Sequence, residues 1–191
     1  DLLVAGTETI AYVLERAMTE VLHNPKVMLK AKEELEENIG RGNPIDESDI
    51  LKLPYLQAIV KESLRLYPPA PVLFPRKAKE DVEISSGYRI PKGARVLINE
   101  WAICRNPNVW DNANLFLPER FLGSTIDVKG RHFQLTPFGS GRRICPGLTL
   151  AMRMIHVMLG SLINSFDWKL GNMNKDQPLK AIPVPVIIIK Q

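Results

Sequence analysis

The sequence has little cysteine and no long apolar stretch. Its 191 residues hold two cysteines, Cys104 and Cys145, 41 positions apart with no C-x-x-C pair. Neither a disulfide framework nor a zinc site is suggested, and a reducing, cytosol-facing environment is the default. No apolar run approaches the roughly 18 residues of a membrane span. The first residue is Asp1 rather than Met, and the chain opens inside an apolar helical pattern, Asp1-Leu-Leu-Val-Ala-Gly6, without a signal peptide or a basic leader. It reads as a chain that begins within a longer protein. Charge of one sign is also lacking: 25 Lys and Arg against 21 Asp and Glu leave +4, evenly spread, too little to imply nucleic acid. There is no internal repeat or low-complexity segment. What is present, 45% hydrophobic and 24% charged residues, suits one globular domain or a large piece of one and excludes wholesale disorder.

The pattern predicts a mainly α chain with a small antiparallel β-meander. Residues 2–22 are apolar around most of a helix, broken by the polar patch Gly6-Thr-Glu-Thr9. Asn24-Pro25 ends that helix and opens another over 25–38, with Gly40 as its C-terminal cap. Ile45-Asp-Glu-Ser-Asp49 is turn and cap chemistry, and Pro54 starts a helix over 54–66 whose core face carries Leu56, Ile59, Val60, Leu64 and Tyr67. After Pro68-Pro69 the pattern becomes extended. Short strands are expected at 72–74, 82–84, 88–90 and 95–99, separated by Ser85-Ser-Gly87 and Pro91-Lys-Gly93, giving a meander over 72–99. Residues 104–137 read as coil, 138–147 as a glycine-rich loop, 148–165 as an amphipathic helix, and 183–189 as a proline-bearing edge strand.

The most informative stretch is Pro137-Phe-Gly-Ser-Gly-Arg-Arg-Ile-Cys-Pro-Gly-Leu148, which delivers Cys145 just before a long helix. A helix start supplies unpaired N–H groups and a partial positive charge, both favouring a negatively charged sulfur. The glycines permit a close backbone approach to something large or flat. A phosphatase-type loop needs an arginine six residues after the cysteine, where Ala151 stands here and Trp110 stands after Cys104. A cysteine hydrolase needs a positioned histidine, and the sequence offers His23, His132 and His156 alone. A redox pair needs a close second cysteine. Gly139-Ser-Gly-Arg-Arg143 lacks the Lys and hydroxyl ending of a P-loop. The ordinary alternative is a free buried cysteine at a helix start. An axial thiolate to haem iron accounts for the lone sulfur, the glycines and the flanking arginine together.

Phe138-x-x-Gly141-x-Arg143-x-Cys145-x-Gly147 resembles the haem-binding signature of the cytochrome P-450 superfamily, the haem-thiolate monooxygenases. Three further segments match that family in its order: Glu62-Ser-Leu-Arg65 its E-x-x-R motif, Pro118-Glu-Arg-Phe121 its P-E-R-F motif, and Ala5-Gly-Thr-Glu-Thr9 its oxygen-activating groove. The wording of Leu53-Pro-Tyr-Leu-Gln-Ala-Ile-Val-Lys-Glu62 and of Asp127-Val-Lys-Gly-Arg131 is similar to plant microsomal members that hydroxylate terpenoids, such as geraniol hydroxylases.

The resemblance implies the carboxy-terminal part of that family's fold and a set of roles. Cys145 is the axial thiolate ligand of haem b, with Phe138, Gly141, Arg143 and Gly147 around the cofactor and Arg76 as a second partner for its carboxylates. Thr9 and Glu8 serve oxygen activation. Glu62, Arg65 and Arg120 form a buried network bracing the loop before the cysteine, although helical phase alone sets Glu62 and Arg65 opposite the apolar face and favours their exposure. Ala5, Ala70, Val72, Leu73 and Phe74 are the expected substrate contacts. The implied partners are an NADPH-cytochrome reductase, O2 and a small apolar substrate, with no nucleic acid. Lys129, Arg131, Arg142 and Arg153 offer a basic patch where an acidic electron donor would dock. The implied parent is anchored to the endoplasmic reticulum membrane on its cytosolic face, with no span in the present chain. The family's amino-terminal portion is absent, and the segment after Leu170 is short, so a truncated, inactive haem-binding fragment is the alternative to an active monooxygenase.

Overall fold

A computed structural model describes residues 2–84, 87–170 and 181–186. The expected Ser85-Ser86 turn, the linker after Leu170 and the end of the last strand at 187–189 lie outside the described residues. The described residues form five α-helices: α1 (Leu2–His23), α2 (Pro25–Asn38), α3 (Pro54–Leu66), the short α4 (Glu100–Ile103) and α5 (Leu148–Ser165), with 3-10 turns at Glu47–Lys52, Pro118–Phe121 and Gly141–Arg143. The starts of α2 and α3 follow from proline at their first positions, where a missing N–H costs nothing. Gly40, at φ +88°, closes α2 by donating its N–H to Leu35 O and Glu36 O. The Glu34 carboxylate on α2 accepts from the Tyr55 and Leu56 amides at 2.6 and 2.8 Å. It thereby satisfies the free donors at the start of α3. Burial pushes the Glu34 carboxyl up despite those two bonds.

The core lies where α1, α2, α3 and α5 meet. Ala17 and Val21 of α1, Ala31 and Leu35 of α2, Leu56, Ile59, Val60 and Leu64 of α3, and Ile155, Leu159 and Ile163 of α5 are all buried. Gly160 lets α5 settle onto this layer, because a Cβ there would stand 2.8 Å from Ile45 Cδ1 and 3.0 Å from Leu56 Cδ2. The 18 residues of α5, at mean hydropathy 1.2, are long and apolar enough to cross a membrane by length and composition alone, although Arg153, His156 and Asn164 interrupt the apolar run. In the structure His156 and Asn164 are buried with its core face, and Asn164 donates to the carbonyls of Gly40 and Asn43.

The β structure differs from a single meander. β1 (Arg76–Lys77) pairs with β4 (Arg95–Val96), and β2 (Val82–Ile84) pairs with β3 (Tyr88–Ile90), as separate antiparallel two-stranded sheets. Residues 72–74 form no strand. Pro71 and Pro75 flank them without N–H donors, and the link to the later segment is the Leu73 amide on Ile98 O at 3.0 Å. β5 (Phe166–Leu170) pairs with β6 (Ala181–Pro185), with Pro183 opposite Trp168. The proline-bearing strand thus starts two residues before its expected position, and its partner strand was not foreseen.

Candidate functional site

Helix α3 is buried on nearly all sides, and this overturns the exposure that phase alone suggested for Glu62 and Arg65. Both are 0% exposed. The apolar face packs on the helical core, while the opposite face is covered by the irregular chain from Cys104 to Phe121, which helical phase does not encode. Arg65 donates Nε to Glu62 Oε2 at 2.7 Å and Nη2 to Glu62 Oε1 at 2.8 Å. Its remaining donors reach the carbonyls of Cys104 (2.6 Å), Ala113 (2.8 Å) and Leu115 (3.2 Å). Glu62 Oε1 also accepts from the Leu117 amide at 2.9 Å and from Arg120 Nε at 3.1 Å. Arg120 continues to Asp111 O at 2.9 Å. Both guanidinium groups lie against the Trp110 ring, Arg65 Cζ 5.3 Å and Arg120 Cζ 5.8 Å from its centroid. Every Arg65 donor has an acceptor, the condition under which a buried ion pair is tolerated.

The three residues come together, but their bonds end on the 104–117 segment, not on the loop before Cys145. That loop is held by other groups. The Cys145 amide donates to Phe138 O at 2.9 Å, and the Gly139 amide donates to Thr136 O at 2.8 Å. Ser140 Oγ donates to Gly130 O at 2.6 Å. Gly130 has φ +76°, and a Cβ on it would stand 2.9 Å from the Gly139 carbonyl oxygen and 3.1 Å from Ser140 Cα, so the 128–130 turn presses directly on the loop. At the loop's other end, Glu100 of α4 is 0% exposed. Its carboxylate accepts from the Thr136 amide (2.6 Å), the Thr136 hydroxyl (2.7 Å) and the Cys104 thiol (3.3 Å). Sequence reasoning passed over Gly130, Thr136 and Glu100. A lone acid at the start of a four-residue helix and a single glycine in coil give no periodic signal, and their partners are distant in the chain.

The two cysteines contrast. Cys104 is fully buried, and burial, followed by the charge and hydrogen bond of Glu100, pushes its thiol far above the ordinary range. Cys145 is half-buried at the junction of loop and α5. Beside it the glycines leave room. A Cβ on Gly141 would meet nothing within 4 Å, and one on Gly147 would lie 3.8 Å from Cys145 Sγ. Phe138 is half-buried against the core, and Arg143 is exposed. Arg76 is half-buried on β1 opposite Val96. Among the described residues no three His, Cys, Asp or Glu side chains gather to hold a metal ion. Cys145 is thus a lone sulfur donor beside an open, glycine-lined approach, a set that fits the axial ligand of a haem better than a cage of protein ligands.

The other expected residues are more dispersed. Ala5, Glu8 and Thr9 are exposed on α1, and Ile10 after them is buried. Of the expected substrate contacts, Leu73 is buried, Ala70 is half-buried, and Val72 and Phe74 are exposed, Phe74 by 85%. Lys129, Arg131, Arg142 and Arg153 are exposed, and Arg153 pairs with Glu47 at 2.8 Å.

Comparison with known proteins agrees across the chain. The family model described as Cytochrome P450 matches residues 1–189. The chain is 52% identical over 202 residues to a 7-ethoxycoumarin O-deethylase of Helianthus tuberosus, covering 97% of this chain and 41% of that protein. It is 52% identical over 199 residues to a geraniol 8-hydroxylase of Catharanthus roseus, covering 96% of this chain and 40% of that protein. A zebra fish cytochrome P450 structure with abiraterone superposes at TM-score 0.86 and 31% identity, covering 97% of this chain and 45% of that one. The chain therefore spans about two-fifths of the length of its curated relatives.

Proposed function

The chain belongs to the cytochrome P450 family, and on that premise we propose that it supplies the haem-ligating part of a monooxygenase. The reaction inserts one atom of O2 into a small apolar substrate, with electrons from an NADPH-dependent reductase. The observation that carries this reading is Cys145, a half-buried sulfur fixed by its own amide on Phe138 O and flanked by space that glycine leaves open. Haem bound there supplies activation of O2, which no amino-acid side chain provides.

The chain's own residues do the rest. Cys145 Sγ would hold the haem iron, placed just before α5 where the helix end favours negative charge. Arg143 and Arg76 would offer planar, permanently charged forks to the haem carboxylates. Phe138 covers the sulfur side with apolar surface, which keeps water from it. Thr9 Oγ1 and the Glu8 carboxylate hold and pass protons toward the reacting oxygen. Ala5, Ala70, Val72, Leu73 and Phe74 line the substrate side, and their apolar character suits a terpenoid or another apolar plant metabolite, as the name geraniol 8-hydroxylase indicates for one relative. Lys129, Arg131, Arg142 and Arg153 form the landing surface for an acidic reductase. The parent protein works at the cytosolic face of the endoplasmic reticulum membrane.

A second reading, haem binding without turnover, is favoured by the solvent exposure of Glu8, Thr9 and Phe74 in this chain. Supplying the haem-loaded chain with a plant reductase, NADPH, labelled O2 and either geraniol or 7-ethoxycoumarin separates the two. Label in a hydroxylated or dealkylated product, lost in Cys145→Ala, is the expected result. Haem uptake without labelled product supports the second reading.

A further inference from the structure

Arg65 and Arg120 end on carbonyls, and Glu62 on the Leu117 amide, that all precede the cysteine loop, so bracing of that loop needs another link. We propose that Glu100 is a positioning residue for Cys145, the member that carries the buried network of α3 into the sulfur-bearing loop. The path is continuous. Arg65 Nη1 holds the Cys104 carbonyl at 2.6 Å, and the Cys104 thiol reaches Glu100 Oε1 at 3.3 Å. Glu100 grips the Thr136 amide and hydroxyl at 2.6 and 2.7 Å. Thr136 O fixes the Gly139 amide at 2.8 Å, and within that turn Phe138 O fixes the Cys145 amide at 2.9 Å. Glu100 and Cys104 are 0% exposed and Thr136 is 5% exposed.

A carboxylate removed from water must have its lone pairs filled by donors. Here the donors are an amide, a hydroxyl and a thiol drawn from two segments. An apolar side chain of similar size would fill the same space without needing any of them. What the carboxylate adds is a simultaneous hold on the backbone and side chain of Thr136, at the point where the chain turns into Pro137. Charge-assisted bonds of this kind are about twice as strong as neutral ones. Gly130, pressing on the carbonyl of Gly139, restrains the same turn from its other side. The loop is thereby clamped between a hydrogen-bonded end and a sterically closed one, with the sulfur beyond both.

Only the spectral part of the test rests on the haem-thiolate reading. Amide hydrogen exchange is measured on the full chain, unaltered and as Glu100→Leu, Glu100→Gln and Thr136→Val, comparing Gly139 and Cys145 with Leu64 in α3. The haem-loaded, reduced, carbon monoxide-treated chains are then compared for their share of the red-shifted, thiolate-type Soret band. In Glu100→Leu the Gly139 and Cys145 amides are expected to exchange about tenfold faster or more while Leu64 stays within about twofold. The thiolate-type share falls in the same variant, Glu100→Gln recovers part of both effects, and Thr136→Val lies between. Unchanged exchange at Gly139 and Cys145 would overturn the proposal, as would acceleration equal to that of Leu64, which marks a merely global loss. Where Glu100→Leu does not fold, Glu100→Gln and Thr136→Val are judged by the same two outcomes. Failure of the unaltered chain to take up haem contradicts the haem-thiolate reading, and the exchange rates still decide the brace.

Discussion

The two sides of the cysteine loop are built on opposite principles. On the bracing side Glu62, Arg65 and Glu100 are sealed from water, and the chain's own amides, carbonyls and hydroxyls satisfy them. On the side of the proposed ligand, Gly141, Arg143 and Pro146 of the loop stand in solvent, as do Glu8 and Thr9 on α1. The difference teaches where each group finds its partner. The sealed charges are completed inside the described fold, so their removal reads out as lost stability. The exposed groups take no part in that buried bonding, so on the proposed haem reading changing them is expected to leave the fold intact and to alter what it binds.

The largest effect tests the sealed side. Arg65→Met keeps much of the volume but leaves Glu62 without its bidentate partner, and is expected to cost about 3–5 kcal/mol in denaturant unfolding. A cost within that of an ordinary surface change would erase the distinction between the sides. Next is Gly130→Ala, which meets the Gly139 carbonyl and adopts a left-handed φ. The two penalties together predict a loss of about 2–4 kcal/mol, against a much smaller loss for Gly123→Ala, where φ is +69° but no atom lies within 4 Å.

How far the sequence reveals this design depends on the range of the interactions involved. Prolines at the first helical position made the starts of α2 and α3 legible, and Gly87 and Pro91 bounded the β2–β3 hairpin, because those constraints act within a few residues. Cys145 and its glycines were legible because their chemistry is written in one continuous loop. The burial of Glu62 and Arg65 was legible through the family motif but not through helical phase, since it is produced by an irregular segment that returns from Cys104 to Phe121. Glu100 was hidden for the same reason: its acceptor role exists only when Thr136, 36 residues on, folds against it. The strand expected at 72–74 did not form, because Pro71 and Pro75 flank it without N–H donors, and the partner of β4 lies just beyond, at Arg76–Lys77.

Smaller effects sharpen the comparison at its edges. His156 is buried, with Nδ1 on Met152 O, and burial holds its pKa below the ordinary 6.5, helped by the positive charge of Lys61. The unfolded chain therefore binds the extra proton first. The contribution to stability is intact above about pH 6.5 and is lost progressively as pH falls below it. Unfolding midpoints of His156→Leu should show less acid dependence than those of the unaltered chain over that window, whereas identical slopes would remove His156 from the account. Least affected is Lys30→Met, which breaks a solvent-exposed pair with Glu119 at 2.7 Å. It should cost no more than about 1 kcal/mol, since exposed pairs are screened and Tyr55 still bonds Glu119.

The central claim is that one of two cysteines is a ligand and the other a structural thiol. Carbon monoxide difference spectra of the haem-loaded, reduced chain test it most directly, taken for the unaltered protein, Cys145→Ala and Cys104→Ser. The account predicts a thiolate-type, red-shifted Soret band in the unaltered chain and in Cys104→Ser, and its disappearance in Cys145→Ala. Persistence of that band in Cys145→Ala would contradict it.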